Sequence, residues 1–142
     1  MKETILSGHV LVSNNNKVLL IRHEEGATHR SGVYGIPGGR PEAGEELKDT
    51  AVREFKEETG LTVQKEDLIE YPNNQFSADI AKKDGTTKHY TMTVFRAHKF
   101  AGELKATEET TPEWINQEDL DQLNLLPNVK TAVLEALKVL AY

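Results

Sequence analysis

A mixed β-sheet covered by helices on both faces, an α/β fold, is what this 142-residue sequence predicts, and three observations predict it. β-type runs at residues 5–12 and 17–22 come first, and one long helical segment at residues 45–59 follows them. Extended segments then fill the chain as far as Ile115, and a second helical pattern closes it at residues 129–141. Strands, helix, strands and helix is not the strict alternation of a doubly wound sheet. With no internal repeat, low-complexity tract or linker, residues 1–142 read as a single domain, large enough to bury a core unaided.

The first two runs are joined by Ser13-Asn14-Asn15-Asn16, and asparagine tolerates the left-handed backbone of a tight turn, so they are expected to form a hairpin. Residues 33–37 make a short apolar stretch that runs into Gly38-Gly39, and Pro41-Glu42-Ala43-Gly44 bends the chain again. Residues 45–59 contain neither proline nor glycine, and Gly60 stands where a helix C-cap is wanted. Residues 61–71, 75–81 and 87–100 have extended character, with Lys83-Asp84-Gly85 as the turn between the last two. Trp114-Ile115 falls in another short strand, residues 118–123 suit a helical turn or two, and residues 129–141 carry apolar side chains at spacings of three and four.

Composition narrows the function. There is no cysteine, which excludes disulfides and thiolate metal sites and suits a reducing cytoplasm. The start of the chain carries no targeting signal, and no apolar run approaches the ~20 residues of a membrane span, so a soluble, cytoplasmic protein without a membrane partner is expected. A formal charge of -6 argues against a nucleic-acid partner, whose phosphates would have to be neutralised by lysine and arginine. An acidic protein that acts on a small phosphorylated substrate needs a local basic patch or a bound cation as intermediary.

The helix at residues 45–59 suggests the cation. At about 100° per residue, with Leu47 at zero, Ala51, Phe55 and Val52 fall at about 40°, 80° and 140° and form the buried stripe. Glu57, Glu54 and Glu58 fall at about -80°, -20° and 20°, crowding the border of that stripe rather than the opposite face. Desolvation and mutual repulsion both oppose three carboxylates there, and a divalent cation relieves both. Oxygen donors without histidine or cysteine favour Mg²⁺, or Mn²⁺, over zinc. Arg53 stands four residues before Glu57, at the spacing of a helical ion pair. From the helix alone, solvated salt-bridge decoration is an equally good reading.

The wider context separates the two. Gly39, Glu45, Arg53, Glu54, Glu57, Glu58 and Gly60 stand in the pattern G-x5-E-x7-R-E-U-x-E-E-x-G-U, with Phe55 and Leu61 at the bulky apolar positions U. At ordinary residue usage seven such matches arise by chance on the order of once in 10⁸ starting positions. The pattern resembles the signature of the Nudix hydrolases, with Phe55 in a place that is usually aliphatic. The resemblance implies the Nudix fold, an α/β/α sandwich with a mixed β-sheet between helices, and hydrolysis of nucleoside diphosphate-linked compounds by water attack on phosphorus. It implies that Glu54, Glu57 and Glu58 hold the metal, that Gly39 adds a backbone carbonyl, and that Arg53 orients a glutamate. The proton acceptor implied is either a box glutamate, Glu54 or Glu57, or a carboxylate from a distant loop, here Glu108, Glu109 or Glu113.

Substrate signals are fewer. Arg22 ends a strand leading to the site, where a basic residue in this family often touches substrate phosphate, with an exposed strand-end arginine as the alternative. Leu126-Pro127-Asn128 resembles a segment of the MutT-like nucleoside triphosphate pyrophosphatases in which asparagine reads the base, although a helix cap is the more ordinary reading of an asparagine there. Trp114 and Phe76 offer rings for stacking, with the core as the alternative place for Trp114. His23, His29, His89 and His98 show no metal-ligand spacing and read as surface or strand residues. Residues 76–83 lack the proline of ADP-ribose-cleaving relatives and the tyrosine of dinucleoside polyphosphate relatives. The expected reaction is therefore cleavage of a nucleoside triphosphate or modified nucleotide to the monophosphate and pyrophosphate. ADP-ribose or nucleotide-sugar hydrolysis is the alternative, and a non-catalytic nucleotide-binding module fits less well because every box glutamate is present. The sequence carries no mark of oligomeric state.

Overall fold

The computed structural model describes residues 3–27 and 29–139. In chain order its strands are β1 (Thr4–Leu11), β2 (Ser13–Asn14), β3 (Lys17–His23), β4 (Tyr34–Gly35), β5 (Gly38–Gly39), β6 (Leu61–Thr62), β7 (Gln75–Ala81), β8 (Thr87–Arg96), β9 (Ala101–Gly102) and β10 (Thr110–Asn116). The helices are α1 (Leu47–Thr59) and α2 (Val129–Leu137), and short 3₁₀ turns occupy Lys65–Asp67 and Gln117–Gln122. One sheet runs β5-β1-β8-β7, a second β10-β3-β2 with β4 on the free side of β3, and β6 pairs with β9. The β1–β8 pair is parallel and the other ladders are antiparallel, so the sheet is mixed.

Alternation along the strands divides the core in two. Val10 and Val12 turn to one side, where they meet Ala51 and Phe55 of α1, Leu61 and Phe95. Leu11 turns to the other, where Val94, Leu20 and the α2 residues Val129, Ala132, Val133 and Ala136 wait. Helices therefore cover opposite faces, as the α/β/α reading expects. The helical wheel placed Ala51 and Phe55 correctly, and both are fully buried. Among the described residues no helix is long and apolar enough to cross a membrane.

Several expected elements differ. Residues 5–12 and 17–22 are strands, but they do not form one hairpin with each other. Only the tip pairs, Ser13 with Val18 and Asn14 with Lys17 around Asn15 at φ 57°. β1 itself lies parallel to β8, whose apolar alternation matches its own across a longer ladder. Residues 61–71 are not one strand: β6 covers Leu61–Thr62, the 3₁₀ turn at Lys65–Asp67 interrupts the chain, and extended pairing returns only as a bridge between Ile69 and Arg96. α1 begins at Leu47, after a turn in which the Glu45 N–H donates to the Glu42 carbonyl, and the extended N-cap Glu46 contributes to the cap only its carbonyl, which accepts from the Thr50 N–H. α2 runs to Leu137, and the expected end at Ala141 lies outside the described residues.

Candidate active site

Gly8 brings the box glutamates and the glycine pair together. A Cβ there would stand 2.5 Å from the Leu47 carbonyl oxygen, so α1 rests directly on the β1 backbone. On the edge of β1, Gly8 pairs with Gly39 and His9 with Gly38. One strand thus supports both α1 and β5, and the Glu54 carboxylate fits against Gly39. A Cβ on Gly39 would lie 2.6 Å from Glu54 Cδ.

Arg53 is the hub of the cluster. Its Nε and Nη2 donate to the two oxygens of Glu45 at 2.9 Å each, a bidentate fork. Nη1 donates to Glu54 Oε1 at 2.9 Å and reaches Glu57 at 3.4 Å, and Nη2 also meets the Arg40 carbonyl at 3.1 Å. Glu45 in turn accepts from the Thr50 hydroxyl at 2.7 Å and the Glu42 N–H at 3.0 Å. The Arg53 guanidinium, with these two donors, holds the Glu45 carboxyl at about 2, against an ordinary 4.5. The i,i+4 pairing of Arg53 with Glu57 anticipated from spacing exists, but it is the longest of these contacts. Glu45 was legible as a box position, whereas its part as the anchor of Arg53 depends on a loop geometry that spacing does not encode.

Glu58 faces inward, and its Oε1 accepts the Gly38 N–H at 2.7 Å. Desolvation pushes its carboxyl well above the ordinary range; the Gly38 bond opposes this, and the charges of Glu54, Glu57 and Glu109 add to it. Burial likewise raises Glu54, with Arg53 opposing and Glu57 adding. Glu57 is the exposed member, with 56% of its side chain open to solvent. Among the described residues no three histidine or acidic side chains form a ready-made metal cage.

Two adjacent hollows lie beside this cluster. The inner is a cavity of about 100 Å³ between the two sheets, with apolar walls that include Ile21, Ile36, Phe76 and Met92, and Leu126 to Val129 also line it, Asn128 from its exposed side. The outer is a cleft of about 620 Å³ where Glu58 and Glu109 meet the cations Arg40, Lys82, Lys83 and Lys88. His23, His29, Gly38 and Tyr90 line both. The acidic chain therefore has a local basic patch, supplied by the β7–β8 turn, as well as a carboxylate cluster.

His23 and His29 are not surface residues. Their rings lie 4.5 Å apart in the shared wall, His23 buried on β3 and His29 half-buried in the loop after it. Burial lowers His23 to about 4 and His29 to about 3, helped by Lys82 and by each ring's histidine neighbours. Alternation on β3 turned His23 inward with Ile21, a signal present in the sequence but outweighed there by the lack of metal-ligand spacing. Lys82 is buried as well, with Nζ 3.2 Å from His29 Nε2 and 4.8 Å above the Tyr90 ring. Arg40 reaches the Tyr90 hydroxyl at 3.3 Å. Burial opposes ionisation of that phenol, but the hydrogen bonds and charges of Lys82 and Arg40 outweigh it and lower its pKa.

The substrate candidates part company. Asn128 lines the cavity with Phe76. It has a left-handed backbone, φ 69°, and its side chain makes no cap to α2; it donates instead to the Ser77 carbonyl at 2.8 Å. Trp114 belongs to the α1 core, 5.6 Å from the Phe100 ring. Arg22 is outside the cavity wall, because the alternation that turns Ile21 and His23 inward turns it away. It pairs with Glu24 at 2.7 Å and with Glu113, which also accepts from the Tyr34 hydroxyl at 2.9 Å. Of the carboxylates expected on a distant loop, Glu109 lines the cleft with Glu58, whereas Glu113 stands on β10, paired with Leu20 of β3, and is engaged by Arg22 and Tyr34.

The family model described as the NUDIX domain matches residues 5–137. A protein of Escherichia coli named 8-oxo-dGTP diphosphatase is 27% identical over 82% of this chain and 82% of its own length. A Methanocaldococcus jannaschii protein named ADP-ribose pyrophosphatase is 30% identical over 84% of this chain and 62% of its own. The chain spans 49% of a Mycobacterium tuberculosis relative named putative 8-oxo-dGTP diphosphatase 3. The fold is similar to that of a MutT protein from Methanosarcina mazei, with a TM-score of 0.77 and 24% identity across 96% of this chain and 95% of that one.

Proposed function

This chain belongs to the Nudix hydrolase family, and from that premise we propose that it is a Mg²⁺-dependent pyrophosphohydrolase. Its substrate would be a nucleoside triphosphate or modified nucleotide, cleaved to the monophosphate and pyrophosphate. The observation that carries this reading is the adjacency of the apolar cavity and the charged cleft, which share His23, His29, Gly38 and Tyr90 as a common wall. A planar base suits the first, polyphosphate suits the second, and Glu58 stands where the second meets the box helix.

The carboxylates fit a divalent cation, because Glu58 is desolvated among Glu54, Glu57 and Glu109 with no cationic side chain among the groups that shift it. Glu54, Glu57 and Glu58, with the Gly39 carbonyl, would hold Mg²⁺ or Mn²⁺, which supplies charge neutralisation at phosphate and a more acidic attacking water. Arg53, itself fixed by Glu45, holds Glu54 in place, and the Gly38 N–H orients Glu58. Lys82, Lys83 and Lys88 offer the substrate phosphates positive charge across the cleft. Glu109, in the same cleft, is our choice for the group that takes the water proton. Asn128 and Phe76 would contact the base in the cavity, and Arg22 would act through Glu113 and Tyr34 rather than on phosphate directly.

The similarity to an ADP-ribose pyrophosphatase keeps a second reading, the same chemistry on ADP-ribose or a nucleotide sugar. An assay with Mg²⁺ over triphosphates, ADP-ribose, nucleotide sugars and dinucleoside polyphosphates, identifying both products, decides between them. Pyrophosphate plus monophosphate from a triphosphate is expected. Faster turnover of ADP-ribose, orthophosphate plus diphosphate as products, or full activity in excess chelator would each overturn the proposal.

A further inference from the structure

The inner cavity contains a hydrogen-bond chain whose polarity can be worked out. His9 Nδ1 lies 2.8 Å from the Ile36 carbonyl oxygen, and His9 Nε2 lies 2.8 Å from Ser7 Oγ. A carbonyl oxygen only accepts, so the Nδ1 position carries the proton. The ring has no carboxylate among the groups that act on it, and burial holds it neutral at ordinary pH. A neutral imidazole protonated at Nδ1 presents a lone pair at Nε2, and the Ser7 hydroxyl must donate to it. The single hydroxyl hydrogen of Ser7 is thereby committed. What Ser7 has left is acceptor capacity only.

Ser7 is 4% exposed and, with His9, forms part of the cavity wall beside Met92 and Phe76. Apolar residues make up most of that wall, so a buried acceptor there is costly to leave unmatched when a ligand displaces water. On the exposed side of the cavity Asn128 has a fixed amide orientation, since its Nδ2 must face the Ser77 carbonyl, but it keeps both an N–H and its Oδ1. Asn128 therefore matches donors and acceptors alike, whereas Ser7 matches donors alone.

We propose that Ser7, polarised by His9 and Ile36, is a specificity residue that selects bases bearing an N–H donor, foremost an exocyclic amino group, on the edge that enters the cavity. This rests on the reading of the cavity as a base site. It assigns the Ile36–His9–Ser7 chain to discrimination between bases rather than to chemistry. A base with only a carbonyl or C–H at that edge would leave the Ser7 oxygen facing an acceptor or nothing, a loss of about tenfold or more in affinity.

The test separates binding from turnover by using monophosphates, which need no cleavage. Dissociation constants are measured by calorimetry for guanosine against inosine monophosphate and for adenosine against purine-riboside monophosphate, which differ within each pair only by the amino group. In the wild type the amino-bearing member of at least one pair should bind about tenfold tighter, and Ser7→Ala should bring that pair within about twofold. Equal affinities in both pairs, no binding by any of the four, or a preference that survives Ser7→Ala would overturn the assignment. Pyrophosphate release from triphosphates is followed in parallel. Its absence overturns the proposed function, whereas its presence with unselective binding overturns only the role of Ser7.

Discussion

Arg53 meets Glu45 through two parallel hydrogen bonds of 2.9 Å, while its third nitrogen holds Glu54. The glutamate farthest from the cluster in sequence is thus the one that fixes the arginine. Lysine cannot reproduce the fork, since it offers a point charge in place of a planar pair of donors. Arg53→Lys should cut kcat about ten- to a hundredfold with a smaller change in KM, through misplacement of Glu54. Steady-state kinetics beside a thermal melt check this, and a variant with unchanged kcat contradicts it.

The same pair predicts a pH dependence of stability. Glu45 is held at about 2 in the folded protein against an ordinary 4.5, so its contribution is complete above 4.5 and is lost as pH falls towards 2. Between those values the unfolded chain binds the extra proton. The melting temperature of the wild type should therefore fall more steeply across this acid window than that of Glu45→Gln. Parallel melting curves would refute the coupling.

Glu58 has the opposite sign. Its folded carboxyl is raised by burial and by its acidic neighbours, so without metal the protein loses stability as pH rises from 4.5 through the folded value. Glu58→Gln keeps an oxygen for the Gly38 N–H and removes the charge. In chelator near pH 7 this variant should melt at or above the wild-type temperature, while its Mg²⁺-dependent turnover falls ~10²-fold or more. Glu57→Gln should lose activity on the same scale. A structural salt-bridge role would give the reverse, lower stability in chelator with little change in rate.

Gly39→Ala tests the contact with Glu54. The new methyl would enter within 2.6 Å of the carboxylate carbon, and the end of the Glu54 side chain is what can move aside. Activity should fall about tenfold or more with the melting temperature nearly kept, because the backbone there is not strained. A large loss of stability at full specific activity would show that the glycine serves packing alone.

Lys82→Met should raise KM for a triphosphate about five- to tenfold and weaken its dependence on salt, since a buried cation of the cleft is replaced by a side chain of similar length. An unchanged KM and salt profile would place the phosphates elsewhere.

Periodicity was the clearest signal in the sequence. The α1 stripe of Ala51 and Phe55, the span of β7, and the crowding of Glu54 and Glu58 are consequences of local spacing, and each is found in the structure. Features that were less legible depend on partners far along the chain. The residues expected to pair as a hairpin divide between two sheets, because β1 finds a parallel partner in β8. Lys82, His23 and His29 meet only when the β7–β8 turn folds over the loop after β3. Arg22 stands at the strand end the sequence indicated, yet its charge is matched by Glu24 and Glu113, and no spacing rule ties position 22 to position 113.

Leu11 and Arg96, paired in the parallel ladder of β1 and β8, lie 85 positions apart in the chain. Bringing them together costs loop-closure entropy before the ladder repays it, which marks this pairing as a slow step of folding. Gly38 and Gly39 hang from the opposite edge of β1, and α1 rests on its face. During synthesis, then, a ribosome-bound chain ending before β8 would carry every box glutamate and still have no finished platform beneath them. On this topology the emerging protein is expected to gain its catalytic centre only once β8 has closed the sheet, although the signature motif was translated long before.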